Sequence, residues 1–152
     1  MSFTSKRTEF FVDSSVIVEA LKVHGADVGV ALWECVLENV HLAEFFTNAI
    51  VFSEVVYQLI TRGKVNHFAK EYVYCIFKAF SWLDMPYEVK EFAESYIERY
   101  FLKPNDALIL ATCRHHGVRN LISLDADFAG PCEAEGIAFV NSPEKLKGFL
   151  SA

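Results

Sequence analysis

Short runs of β-forming apolar residues alternate along this chain with longer segments of helical periodicity, and this alternation constrains the fold more than any other feature. The runs Glu9–Val12, Asn120–Leu124 and Ile137–Val140 are apolar enough to be strands buried on both faces of a sheet. Between them, Asp27–Glu38 carries apolar residues at the i, i+3/i+4 spacing of an amphipathic helix. Strands that alternate with helices predict an α/β fold, in which a largely parallel sheet is covered by helices on both faces.

The other predicted elements follow the same alternation. Two further short strands are predicted, at Leu42–Phe46 and at Leu83–Met85 before Pro86. The remaining helices are predicted over Val16–Lys22, Asn48–Thr61, Asn66–Trp82, Tyr87–Tyr100 and a short segment after Pro143. One more helix is predicted to open at Lys103-Pro104-Asn105-Asp106 and to run through Ala107–His115.

Length and composition indicate one folded domain over residues 1–152. Apolar residues make up 53% of the chain and charged residues 22%, a composition that excludes a disordered tail, a coiled coil and a collagen-like fibre. The net charge of −6 argues against a general nucleic-acid coat protein, which would normally be basic. It does not exclude an enzyme that acts on nucleic acid.

The cysteines and the N-terminal segment bear on the cellular compartment. The four cysteines lie far apart without a Cys-x-x-Cys pair, so we expect Cys35, Cys75 and Cys113 to be free core residues in a reducing cytosol. The segment Met1–Glu9 lacks the apolar run of a signal peptide, and no stretch reaches the length of a membrane span. We therefore expect a cytoplasmic protein that does not enter a membrane.

Carboxylates follow two of the predicted strands and begin one of the predicted helices. Asp13 directly follows the first strand, and Asp125 follows Asn120–Leu124. Both therefore fall on the sheet edge where ligands bind in α/β folds. Asp106 lies in the first turn of its predicted helix, on the same side if the connection is right-handed. Glu54 is a lone carboxylate on an apolar helix, a costly placement unless its charge is compensated.

Each of these acids also has an ordinary structural interpretation. Asp13 and Asp106 could cap helices, Asp125 and Asp127 could be turn residues, and Glu54 could face solvent. One divalent cation would explain all four positions Asp13, Glu54, Asp106 and Asp125 together. Oxygen ligands suit Mg²⁺ or Mn²⁺, whereas no His or Cys has the spacing that zinc would require.

Several segments of the chain match a known family in order and character. They are FFVDSSVIVEAL from Phe10, FSEVVYQL from Phe52, KPNDALILATCRHHG from Lys103, NLISLDADF from Asn120 and the ending FVNSP from Phe139. With these segments the chain resembles the PIN-domain ribonucleases, and in particular the VapC-type toxins of prokaryotic toxin–antitoxin pairs. The resemblance is strongest over residues 10–143.

The resemblance implies a three-layer α/β/α sandwich, with a mainly parallel sheet of about five short strands. It also implies a metal-dependent endoribonuclease in which Asp13, Glu54, Asp106 and Asp125 bind Mg²⁺ or Mn²⁺. Asp127 would be an auxiliary acid, and Ser123 would support the site through its hydroxyl, where the family usually has Thr. The implied partners are an RNA substrate, an antitoxin protein and a second copy of the chain.

Two other functions remain open from the sequence. A catalytically inactive PIN-like module that binds RNA or protein would suit the acidic net charge. A phosphatase or receiver domain also carries acids at strand ends, but Asp13-Ser14-Ser15 lacks the second Asp of the phosphatase motif. The aromatic segment Asn66–Phe101 is interpreted as core, with a dimer face or an antitoxin groove as the alternatives.

Overall fold

Five short parallel strands form one sheet at the centre of the part of the chain that the structure describes. The computed structural model describes residues 7–63 and 70–151. The strands are β1 (Glu9–Val12), β2 (Glu44–Thr47), β3 (Ser81–Trp82), β4 (Asn120–Ile122) and β5 (Ala138–Val140), in the order β3-β2-β1-β4-β5. All four neighbouring pairs are parallel, and β1 lies between β2 and β4. The predicted parallel sheet of about five strands is confirmed.

Helices connect the strands. They are α1 (Ser14–Leu21), α2 (Asp27–Glu38), α3 (Ala49–Val56), α4 (Lys70–Ile76), α5 (Tyr87–Tyr100), α6 (Pro104–His116), α7 (Ala129–Glu135) and α8 (Pro143–Leu150). A π-helical turn, Tyr57–Thr61, continues α3, and 3₁₀ turns cover Phe77–Ala79 and Ala126–Phe128.

The central strands are buried on both faces. Successive residues of a strand point to opposite faces of the sheet, and Phe10, Phe11 and Val12 of β1 are all fully buried. Leu121 and Ile122 of β4 are buried in the same way. Helices must therefore cover both faces, which gives the three-layer α/β/α sandwich expected from the resemblance.

Two predicted elements differ from the structure. The strand predicted at Leu83–Met85 is wrong: the edge strand is Ser81–Trp82, which pairs with Phe46 and Thr47 of β2. The helix predicted over Asn66–Trp82 ends early, since Phe80 is already extended; its residues 66–69 lie outside the described part of the chain. The pairing with β2 is a tertiary contact, which the aromatic periodicity of this segment does not reveal.

The sequence pattern does not predict helix α7. Its sequence, AGPCEAE, contains Gly130 and Pro131 and reads as a turn. Pro131 lies in the first turn of the helix. A backbone N–H there would have no intrahelical acceptor, so a proline costs no hydrogen bond.

The predicted environments of the cysteines and aromatic residues are only partly confirmed. All four cysteines are free, and Cys35 and Cys113 are buried, but Cys75 is exposed and its predicted core position is wrong. In the aromatic segment Phe77, Phe80 and Tyr96 are core residues. Other aromatic side chains of the segment are exposed, namely Tyr72, Tyr74, Trp82, Tyr87 and Phe101. No helix in the described ranges has the length and apolarity that a membrane crossing requires.

Candidate metal centre

The carboxyl ends of the central strands bring the candidate residues to one edge of the sheet. β1 and β4 are adjacent and parallel, and the backbone N–H of Asp13 donates to the Ile122 carbonyl at 2.9 Å. The backbone N–H of Ser123 donates in turn to Val140 of β5, at 3.1 Å. Asp13, Ser123 and Asp125 therefore lie where the strands end, as predicted for Asp13 and Asp125.

Asp13 is a buried carboxylate held by two hydroxyl groups. Its Oδ2 accepts hydrogen bonds from Ser15 Oγ at 2.7 Å and from Ser123 Oγ at 2.7 Å. The side chain is 3% exposed and makes no capping hydrogen bond to α1, although Asp13 occupies the N-cap position. Burial raises the pKa of Asp13 in spite of the hydrogen bonds. The ionised form is therefore destabilised unless a cation compensates its charge.

Ser123 connects Asp13 to Asp125. The hydroxyl that donates to Asp13 also accepts from the backbone N–H of Asp125 at 3.0 Å. Ser15 acts in parallel, because its hydroxyl accepts from the backbone N–H of Leu124 at 2.9 Å. The two serines thus fix the chain after β4 against the chain after β1.

Three carboxylates converge beside this point. One oxygen from each of Asp106, Asp125 and Asp127 lies within 4.8 Å of the other two. Asp125 also accepts from the backbone N–H of Asp127 at 3.0 Å, so its turn role and its place in the cluster coexist. Asp106 lies in the first turn of α6, whose dipole favours negative charge.

Glu54 approaches from α3. Ser14 Oγ donates to Glu54 Oε1 at 3.2 Å, which ties α3 to the start of α1. Desolvation and the charge of Asp13 raise the pKa of Glu54 to about 7, and Asp106 and Asp125 contribute further. The half-buried side chain is therefore not the surface residue that the alternative interpretation of this helix required.

The electrostatics of Asp106 show that the acids act on one another. Desolvation and the charges of Asp13 and Asp125 raise the pKa of Asp106 to about 6, while Lys103 opposes the shift. No lysine, arginine or histidine within residues 7–63 and 70–151 forms an ion pair with any acid of this group. A group of acids without a paired cation, in which Asp13, Glu54 and Asp106 have raised pKa values, suits a hard divalent ion such as Mg²⁺ or Mn²⁺.

Two buried polar residues that support the site were not among the candidates. Asn48 Oδ1 caps α3 by accepting from the backbone N–H of Val51 at 3.1 Å, and its Nδ2 donates to Thr112 Oγ1 at 3.0 Å. This bond joins the helix that carries Glu54 to the helix that carries Asp106. The asparagine before an apolar helix signals the cap, but nothing in the sequence pairs it with Thr112.

Comparisons with known proteins identify the family and agree with the fold. The profile of the PIN-domain family matches residues 10–133. The ribonuclease VapC2 of Methanocaldococcus jannaschii is 29% identical over 138 residues, which cover 81% of this chain and 89% of that protein.

Two crystal structures share the fold at low sequence identity. One is VapBC2 from Rickettsia felis bound to a DNA fragment from their promoter, with a TM-score of 0.67 at 14% identity, covering 88% of this chain and 98% of that one. The other is Mycobacterium tuberculosis VapC20, a sarcin–ricin loop cleaving toxin, with a TM-score of 0.64 at 20% identity, covering 80% and 94% of the two chains. Because the family profile spans most of its length, this chain belongs to the PIN-domain family.

Proposed function

We propose that this protein is a metal-dependent endoribonuclease that hydrolyses RNA phosphodiester bonds, and that it is the toxin of a toxin–antitoxin pair. The observation that carries the proposal is the group of uncompensated carboxylates at the carboxyl edge of the sheet. The similarity to a protein named as a ribonuclease, and to one described as an RNA-loop-cleaving toxin, supports nuclease activity.

We assign Asp13, Glu54, Asp106 and Asp125 as the residues that hold Mg²⁺ or Mn²⁺, with Asp127 as an auxiliary acid. A divalent ion in such a site supplies Lewis-acid stabilisation of phosphate charge and lowers the pKa of water. The chain itself orients the acids: Ser15 and Ser123 hold Asp13, and Ser14 holds Glu54. Supporting hydrogen bonds of this kind raise metal affinity, because the ligands are already in place before the ion binds.

The proposed partners are an RNA substrate, an antitoxin protein and a second copy of the chain. The similar fold from Rickettsia felis occurs in the VapBC2 assembly, which supports a protein partner for this chain. The homodimer rests on the family resemblance, and sedimentation of the purified chain tests it.

The experiment is cleavage of end-labelled total RNA with Mn²⁺ or Mg²⁺, beside EDTA and an Asp106→Asn variant. We expect discrete fragments with the metal, and a loss of at least about 100-fold in rate in the variant, because one of four metal-binding carboxylates is removed. Asp84→Asn is the matched control, since Asp84 is 84% exposed and lies outside the acid group.

Calorimetric titration with Mn²⁺ separates the alternatives. Cleavage that is equal in the wild type and in Asp106→Asn contradicts the site assignment. If the wild type neither cleaves RNA nor binds Mn²⁺, the result contradicts the proposed enzyme. It then favours an inactive PIN-like module that binds RNA or protein.

A further inference from the structure

A cavity of about 630 Å³ opens directly beside the candidate metal centre. Its lining includes Ser15 and Asp125 from the centre, the apolar side chains of Val28 and Leu124, and Asn141. A volume of this size accommodates a small organic ligand, and an apolar wall with few polar groups is the usual composition of such a site.

Asn141 is a polar group of this cavity whose side chain has no hydrogen-bond partner among the residues that the structure describes. It directly follows β5, whose Val140 pairs with Ile122 of β4, so it lies on the same sheet edge as Asp125. The Asn141 side-chain amide makes no hydrogen bond to any other residue of the described ranges.

The other polar side chains of the cavity are already engaged. The Ser15 hydroxyl donates to Asp13 and accepts from Leu124, and Glu19 Oε2 accepts from the backbone N–H of Ala26 at 2.9 Å. A ligand would therefore find in Asn141 a donor and an acceptor available together, beside the carboxylates of Glu19 and Asp125.

The wall formed by α1 and α2 is tightly packed. A Cβ atom built on Gly25 would lie 1.8 Å from the Glu19 carbonyl oxygen, and one on Gly29 would lie 2.6 Å from Glu19 Cβ. Glu19 also pairs with Lys22 at 2.6 Å. These contacts hold the wall of the cavity together on this side.

We propose that this cavity binds the base of the nucleotide next to the cleaved phosphate, and that Asn141 reads this base with a preference for adenine. The inference rests on the proposed function, because a phosphate at the acid group places a neighbouring base within reach of Asp125. An asparagine amide matches the amine donor and ring-nitrogen acceptor of adenine. Adenine presents this pair on two of its edges and cytosine on one, and adenine keeps a second amine hydrogen for a carboxylate of the wall. Uracil can pair its single N–H and one carbonyl with the amide, but it then has only a carbonyl oxygen left to face the carboxylates, which disfavour it. Proteins commonly recognise unpaired RNA bases through hydrogen bonds to the edges of the base.

The first test needs no catalysis. Adenosine and uridine are titrated into ¹⁵N-labelled wild-type protein, and the Asn141 side-chain amide signal is assigned from its absence in Asn141→Ala. We expect adenosine to shift this signal at a concentration at least about fivefold lower than uridine. A signal that does not respond to adenosine, or that responds equally to both nucleosides, overturns the proposal.

The second test maps cleavage of a randomised RNA by the wild type and by Asn141→Ala, with Asn39→Ala as the control outside the cavity. We expect the adenine preference at one position beside the cut to fall about tenfold in Asn141→Ala and to persist in the control. Asn141→Ser supplies a hydroxyl that can both donate and accept, so it should keep part of the preference. Thermal unfolding checks that the variants are folded.

The two proposals fail separately. Cleavage without a base preference that depends on Asn141 overturns the adenine cavity and leaves the ribonuclease intact. Absence of metal-dependent cleavage overturns the proposed ribonuclease activity. The nucleoside titration then still tests whether the cavity binds adenine.

Discussion

At the scale of single residues, Ser123 has the most demanding position. It is fully buried, and one hydroxyl serves both as donor to the Asp13 carboxylate and as acceptor for the Asp125 N–H. Hydrogen bonds to charged groups contribute more than neutral ones, and an unsatisfied buried partner is costly. The hydroxyl therefore determines both the local stability and the orientation of two candidate ligands.

Ser123→Ala should lower the free energy of unfolding by about 1.5–3 kcal/mol, because Asp13 loses a donor and the Asp125 N–H loses its acceptor. We also expect Mn²⁺ affinity to fall by about 10- to 100-fold. Urea unfolding and calorimetry measure the two effects. Ser123→Thr retains the hydroxyl and should keep most of the affinity; an alanine variant with wild-type affinity would show that Ser123 does not support the site.

At the scale of elements, the close approach of α1 and α2 depends on Gly29. This residue is buried against Glu19, where no side chain has room. A glycine inside a helix ordinarily lowers its stability, by about 1 kcal/mol relative to alanine. Here the contact between the helices outweighs the propensity, and the same contact forms the wall of the cavity beside Asp125.

Gly29→Ala should destabilise the protein by about 1–3 kcal/mol, because the new methyl group overpacks the α1–α2 contact. Gly148→Ala in α8 is the matched control: a Cβ there meets nothing within 4 Å, so we expect stabilisation by about 0.5–1 kcal/mol. Denaturant unfolding of both variants measures the difference. Stabilisation by both substitutions would contradict the packing argument.

At the scale of the whole molecule, two groups of charges shift stability with pH in opposite directions. Glu135 of α7 accepts hydrogen bonds from Tyr96 and Tyr100 of α5 and pairs with Arg99 and Arg114. Although burial raises its pKa, these partners lower it overall, so its stabilising contribution is lost as the pH falls through the acid range. Asp13, Glu54 and Asp106 of the candidate metal centre have raised pKa values and act in the opposite sense.

The metal-free protein should therefore lose stability as the pH rises from about 4.5 to about 7. In the folded protein the pKa of Glu54 is about 7 and that of Asp106 is about 6. In this window the unfolded chain has therefore already released protons that the folded chain still binds, so a rise in pH favours unfolding. After allowance for solvent at the half-buried Glu54, we expect a loss of about 1–2 kcal/mol, measured by denaturant unfolding in EDTA.

Two controls connect this pH dependence to the acid group. Asp106→Asn should show a smaller loss, since one repelling carboxylate is removed. Mn²⁺ at about 100 times its dissociation constant should restore about 2.7 kcal/mol at pH 8. If the metal-free protein instead becomes more stable between pH 5 and 7, the result would contradict the mutual repulsion of the carboxylates.

The local pattern of apolar residues in the sequence determined the class of fold. The apolar runs Glu9–Val12 and Asn120–Leu124 and the amphipathic segment Asp27–Glu38 have periods that only a strand or a helix can bury, so the layers follow from local patterning. Asp13, Asp106 and Asp125 could be placed at one edge because the carboxyl ends of parallel strands meet there.

Only the tertiary structure decided what each of these positions touches. The pairing of Ser81–Trp82 with β2, the bond from Asn48 to Thr112 and the position of Asn141 in a cavity beside Asp125 all join residues distant in sequence. Such contacts depend on how the layers pack, and local periodicity carries no information about which distant side chains will meet. The sequence therefore predicted the edge where the acids gather, while the packing of the helices around it decided the shape of the site.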